Sequence, residues 1–161
     1  MLLLTFLHTA ERRGEVFRLR WDDIDFGRSL VRLGTRKRMG GSLEYDLIPM
    51  TKELKKVLSD KKKNSKSEYL FCDEYGEPYK YRQHLLRRLC RRTNIKKFGF
   101  HAIRHLSASI LAHEGTDIPT IQYILRHKNL HTTSRYLHKL GITENVMDSV
   151  FSDRSMGGLV E

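Results

Sequence analysis

Between His101 and Tyr136 the chain collects side chains that can act on a phosphodiester without a metal. His101, Arg104 and His105 stand at i, i+3 and i+4, so they share one side of a helix. Leu125-Arg126-His127 then brings a third histidine, and Arg135-Tyr136 ends the run with a phenol. Breaking a phosphodiester in this way needs a nucleophile and cations to hold the non-bridging oxygens as charge builds. It also needs an acid for the leaving 5′ oxygen and a base for the nucleophile. Arginine suits the second task because its planar fork makes two parallel bonds to phosphate and stays charged at any working pH. Tyrosine serves as nucleophile where neighbouring cations stabilise the phenolate. Singly, each residue has a plainer reading: a helix-start histidine, a salt-bridging arginine, a histidine at a helix end, an amphipathic tyrosine. Their order and spacing outweigh those readings.

The elements that would carry these groups are mostly helical. Residues 2–9 and 11–19 read as two helices; Val16, Phe17 and Leu19 form the second one's apolar face, closed by Trp21. Leu30, Val31 and Leu33, then Tyr45, Leu47 and Ile48, flank a basic glycine-containing turn, which predicts an antiparallel hairpin with its loop at 35–43. Thr51 caps a helix through Leu54 and Leu58, with Glu53 in its first turn. Residues 61–68 read as a solvated linker, 68–73 as a third strand, and EYGEP as a turn. Residues 81–93 predict an amphipathic helix with Leu85, Leu86, Leu89 and Cys90 on one side. Arg87, Arg88, Arg91 and Arg92 lie on the other, either as a solvated face or facing phosphate. Residues 101–113 predict a helix with Ile103, Leu106, Ser107 and Ile110 inward and His101, Arg104 and His105 opposite. Gly115 ends it. Asp117 caps the next helix, built on Ile118, Ile121 and Leu125, and a last one runs from Asn129 to Leu140 with Tyr136 at its margin.

Composition narrows the partner. The 161 residues make one ordinary domain, and 39% hydrophobic with 30% charged residues argues against disorder. Thirty Lys and Arg against nineteen Asp and Glu leave a net charge of +11, which favours nucleic acid first and an acidic membrane surface second. The short apolar run at the N-terminus lacks the features of a signal peptide, and no stretch is long enough to span a membrane. Cys72 and Cys90 lack ligand-like spacing and read as reduced thiols of a cytosolic protein. An apolar helix at residue 2 is expected to be covered by something upstream, as in a fragment or truncated gene product.

His101-Ala102-Ile103-Arg104-His105, Leu125-Arg126-His127-Lys128-Asn129 and Arg135-Tyr136, nine residues after His127, resemble the tyrosine site-specific recombinases, or phage-type integrases. Upstream, Thr9-Ala10-Glu11-Arg12-Arg13-Gly14-Glu15, with Leu19, Trp21, Asp22, Ile24 and Asp25, resembles the family's first box. The family's arginine stands three residues before a glutamate, which selects Arg12 and gives Glu15 a structural role. Its lysine lies on a hairpin before a step matched here by Ile48-Pro49-Met50. Of Arg36, Lys37 and Arg38, only Lys37 readily gives up a proton, with an ordinary pKa of about 10.4 against more than about 12 for arginine.

The resemblance spans residues 2–140 and implies a mainly helical catalytic domain over 1–140 with a small three-stranded antiparallel sheet at one edge. Residues 141–161 would be a tail, with Val146, Met147, Val150 and Phe151 spaced as a helix given to a neighbouring protomer. It implies DNA cleavage and rejoining through a 3′-phosphotyrosine on Tyr136, without metal, ATP or other cofactor. Arg12 and Arg104 would clamp the phosphate, and His127 would bond the phosphate or phenol. His101 would move the tyrosine's proton, and Lys37 would protonate the leaving oxygen. Double-stranded DNA is the implied partner, with Arg36, Arg38, Arg87 and Arg91 on its backbone and self-association upon it. The implied setting is the cytoplasm of a bacterium or phage host. His105 would be structural. Ala10 departs from the family's usual glycine, so the turn before Arg12 is expected to differ in shape. No counterpart of the N-terminal helical domain that usually clamps the DNA's other face is expected within these residues, so binding by this chain alone is expected to be weak and salt-sensitive. The competing readings are type IB topoisomerase-like relaxation and a relic basic DNA- or RNA-binding module; a membrane-surface protein has only charge in its favour.

Overall fold

The computed structural model describes residues 1–36 and 43–127, and the side chains of Arg36 and Leu43 lie outside that description. In chain order the elements are α1 (Leu2–Thr9), α2 (Arg13–Phe17), a 3-10 turn (Trp21–Asp23), β1 (Ile24–Asp25), β2 (Leu30–Arg36) and β3 (Leu43–Pro49). Then follow α3 (Lys52–Lys63), α4 (Gln83–Arg92), α5 (Phe100–His113) and α6 (Ile118–Leu125). They divide into two compact units: the first is Met1–Ser107, and the second begins at Ala108 and is described to residue 127.

The first unit is organised by aromatic rings. Phe6 of α1 lies 4.6 Å from Phe100 at the start of α5, and Phe17 of α2 meets both edge-on at 6.0 and 5.4 Å. Pairs of this kind contribute about 0.5–1.5 kcal/mol each beyond area burial, so the rings bring three helix ends to one place. The antiparallel sheet runs β1-β2-β3, with Val31 opposite Ile48 and Arg36 opposite Leu43. Its period-two pattern buries Val31, Leu33 and Ile48 and leaves Arg32, Tyr45 and Leu47 outward. Both strands run further than expected, with pairing out to Arg36 and Leu43.

The three-stranded sheet is present, but its third strand is Ile24–Asp25, paired to Val31 and Leu30, and not 68–73. Leu70 and Phe71 are buried side by side, at 0% and 3% exposure, which a strand with alternating faces does not do. This segment is held by single bridges, Arg20 with Tyr69 and Cys72 with Pro78, and by the bond from Trp21 Nε1 to Ser65 Oγ at 2.8 Å. Asp73 to Gly76 turn as expected, with Gly76 at φ 85°. The 61–68 linker is shorter than expected because α3 continues to Lys63, its last-turn lysines complementing the helix dipole. The helix expected over 11–19 is reduced to Arg13–Phe17.

Thr51 caps α3 by accepting from Leu54 N at 3.2 Å. On α4, Leu86 and Cys90 are buried, Leu85 is exposed, and all four arginines face solvent. Both cysteines are free thiols.

The largest correction concerns α5. Phe100, Ile103, Arg104, Ser107, Ala108 and Ala112 form its buried stripe, whereas Leu106 and Ile110 are 52% and 45% exposed. Arg104 therefore belongs to the inward face and not opposite it. Two hydrogen bonds to α1 decide the rotation: Ser107 Oγ donates to Leu7 O at 2.7 Å and Arg104 Nη1 to Ala10 O at 2.7 Å. In the second unit, Gly115 ends α5 at φ 76°, Asp117 caps α6 by accepting from Thr120 N at 2.6 Å, and Ile121 and Leu125 are buried. Among the described residues no helix is long and apolar enough to cross a membrane.

Candidate active site

The turn between α1 and α2 is the centre of the site in the first unit. α1 ends on Ala10, which adopts the left-handed conformation (φ 52°, ψ 29°) that a glycine takes without strain. The turn therefore keeps a shape suited to glycine, with alanine tolerating it. Its carbonyl is the one Arg104 binds. Charge-assisted bonds are short, and 2.7 Å at a residue only 3% exposed fits one. Ala10 and Arg12 are two residues apart, so their Cα atoms lie within about 7.6 Å at 3.8 Å per residue. One turn thus carries Arg12 and anchors Arg104.

Arg12 is the extended N-cap residue of α2 (φ −75°, ψ 144°). Its backbone N–H donates to Glu15 Oε2 at 3.2 Å, and Nη1 donates to Glu15 Oε1 at 3.3 Å. The pair is asymmetric: the Arg12 side chain is 45% exposed and that of Glu15 only 5%. A buried carboxylate grips one corner of the guanidinium, and the rest of the fork meets no partner among the described residues. That leaves planar donors facing outward for an anion. Glu15 is structural, as expected. It also accepts the Thr35 hydroxyl of β2 at 3.1 Å, a contact sequence reading missed. Thr35 shares the inward face of its strand with Val31 and Leu33, but nothing in the sequence names Glu15 as its partner.

His101 is exposed in the first turn of α5, one turn before Arg104. Its ring stands edge-on to His105, centroids 4.3 Å apart. Partial burial pushes the His105 pKa below its ordinary value, and the His101 and Arg104 charges push it the same way. These effects favour the neutral ring of His105, which packs edge-on against His101.

In the second unit, His127 follows directly on α6. Arg126 takes the left-handed conformation (φ 49°), and His127 N donates back to Gln122 O at 3.1 Å, a Schellman-type stop. Gln122 Nε2 donates to His127 O at 2.9 Å, so one glutamine fixes both backbone groups of the histidine. Gln122 was not singled out in the sequence. Lys37, Arg38 and Tyr136 lie outside the described residues, as do the helix expected over 129–140 and the tail. Arg36 ends β2. Arg87 and Arg91 lie exposed one turn apart on α4.

The family model described as the phage integrase family matches residues 1–141. A tyrosine recombinase of Pseudothermotoga lettingae is 30% identical over 146 residues, covering 85% of this chain and 48% of that protein. The chain spans about half the length of the curated relatives it matches. Among solved structures, the Tn1549 transposon integrase in complex with circular intermediate DNA superposes with a TM-score of 0.71 at 25% identity, over 83% of this chain and 51% of that one. The catalytic domain of bacteriophage HP1 integrase shares the fold, with a TM-score of 0.66 at 20% identity, over 99% of this chain and 84% of that one. The boxes around Arg12 and Arg104, the fold that joins them and the match over 1–141 lead to one conclusion: the chain belongs to the phage integrase family.

Proposed function

We propose that this chain is the catalytic part of a site-specific recombinase that cuts and rejoins double-stranded DNA through a 3′-phosphotyrosine. One observation carries the proposal furthest: Arg104 is bonded to the Ala10 carbonyl, two residues from an Arg12 whose guanidinium is held by Glu15 and still 45% exposed. Arg12 offers its exposed donors to a non-bridging oxygen, and Arg104, buried and anchored on the same turn, is the second cation of the proposed clamp. Such preorganised donors are worth on the order of 10²–10³ each in rate. The transposon integrase solved with circular intermediate DNA supports the same reading by family likeness.

In this mechanism Tyr136 attacks phosphorus, the 3′ phosphate becomes its ester, and the 5′ oxygen leaves as a hydroxyl with a proton from Lys37. His101 moves the phenol's proton and His127 bonds the phosphate. Attack by the 5′ hydroxyl of a partner strand reverses the step, so bond energy is conserved and neither ATP nor metal is consumed. Arg36, Arg38, Arg87 and Arg91 neutralise the DNA backbone, protomers associate on the DNA, and the protein works in a bacterial or phage-infected cytoplasm.

Nicked duplexes with randomised cores, incubated with the protein and selected for denaturation-resistant capture, test the proposal. Capture by the wild type and none by Tyr136→Phe is expected. Non-covalent retention alone favours a binding module, and strict dependence on magnesium contradicts the mechanism.

A further inference from the structure

We infer that Thr35 is a positioning residue for the Arg12 clamp, acting through Glu15; the inference rests on the recombinase reading for its kinetic consequence. Three donors converge on one carboxylate that is 5% exposed: Arg12 N at 3.2 Å, Arg12 Nη1 at 3.3 Å and Thr35 Oγ1 at 3.1 Å. Thr35 and Arg12 Nη1 meet the same oxygen, Oε1.

α2 is only five residues long and α1 stops on a strained residue, so neither helix alone fixes the rotation of Glu15. Each donor on the carboxylate opposes turning about its last torsion, and the exposed Arg12 guanidinium would follow any such turn. The third donor comes from a different element. β2 is paired with β3 along its whole length, with Gly34 opposite Tyr45 and Thr35 opposite Glu44. Its hydroxyl therefore references Glu15, and through it Arg12, to the sheet. A β-branched residue with one donor is the side chain this task needs: it suits a strand, and its restricted χ1 aims the hydroxyl.

Thr35→Val keeps shape and strand propensity while deleting the donor. Thr35→Ser keeps the donor. On a captured suicide duplex at saturating protein, Thr35→Val is expected to slow adduct formation about tenfold, the kinetic equivalent of one hydrogen bond, with DNA affinity little changed. Thr35→Ser restores most of the rate. A methylphosphonate at the scissile position carries no charge on its non-bridging groups and asks less of a guanidinium. The Thr35→Val deficit should therefore shrink on it, as should that of Arg12→Ala. An equal deficit on both substrates, or a Thr35→Val rate equal to wild type, overturns the inference. If the valine variant melts below the assay temperature, Thr35→Ala replaces it.

The coupling is also readable without DNA. The 15Nε heteronuclear NOE of Arg12 should fall in Thr35→Val and recover in Thr35→Ser; an unchanged value overturns the inference. Failure of the wild type to form any adduct, with Arg12 still loosened in Thr35→Val, removes the recombinase reading and leaves the coupling in place.

Discussion

Replacing Arg104 by alanine separates a surface arginine from one built into the fold. Two effects destabilise the variant. The bond to Ala10 O, at 2.7 Å and nearly out of water, is of the charged kind that contributes about 1.5–3 kcal/mol. Two buried methylenes are also lost, at about 0.8 kcal/mol each. One effect opposes them: the guanidinium no longer has to be kept from water, which recovers part of the first sum. The net expectation is a loss of about 2–4 kcal/mol, because the Ala10 carbonyl stays behind in a site too closed for easy hydration. At roughly 2–4 °C per kcal/mol for a chain of this size, the midpoint falls by about 4–16 °C. Differential scanning fluorimetry reads it, with His101→Ala as control, since that exposed residue should shift stability by no more than about 0.5 kcal/mol. Equal midpoints for Arg104→Ala and wild type would refute the anchoring role and return Arg104 to the outer face of α5.

Other expectations are simpler. Ser65→Ala removes the acceptor of the protein's single tryptophan and should cost about 1 kcal/mol, seen as an earlier denaturant midpoint in Trp21 fluorescence. His105 has a folded pKa below its unfolded value, so its neutral form contributes stability that is fully present above about pH 6.5 and is lost as pH falls through the folded value. His105→Gln should therefore flatten the fall in melting temperature below that pH; an unchanged slope contradicts the shift. Arg87→Gln and Arg91→Gln should each lower the slope of log affinity against log salt by about 1 if each side chain neutralises one phosphate. Titration of a short duplex at several salt concentrations decides it.

Periodicity made most of the helices legible, together with the hairpin and the caps at Thr51 and Asp117, because those signals are local. The failures share a cause. Of the four residues expected inward on α5, Ile103 and Ser107 are buried but Leu106 and Ile110 are exposed, because the helix is turned by hydrogen bonds from Arg104 and Ser107 to carbonyls about a hundred residues away. Residues 68–73 have the composition of the sheet's outer strand, whereas Ile24 and Asp25 fill the place by pairing with Val31 and Leu30. Arg12 and Arg104 were legible from motif order. Thr35 and Gln122 were not, since each acts on a partner that only the fold identifies.

The proposed nucleophile is Tyr136, and the linkage itself tests it. A captured adduct digested with nuclease and trypsin should yield the peptide Tyr136–Lys139 bearing a nucleotide through a 3′-phosphotyrosyl bond, identified by tandem mass spectrometry. A nucleotide on His127, on another tyrosine such as Tyr123, or attached through its 5′ phosphate would contradict it.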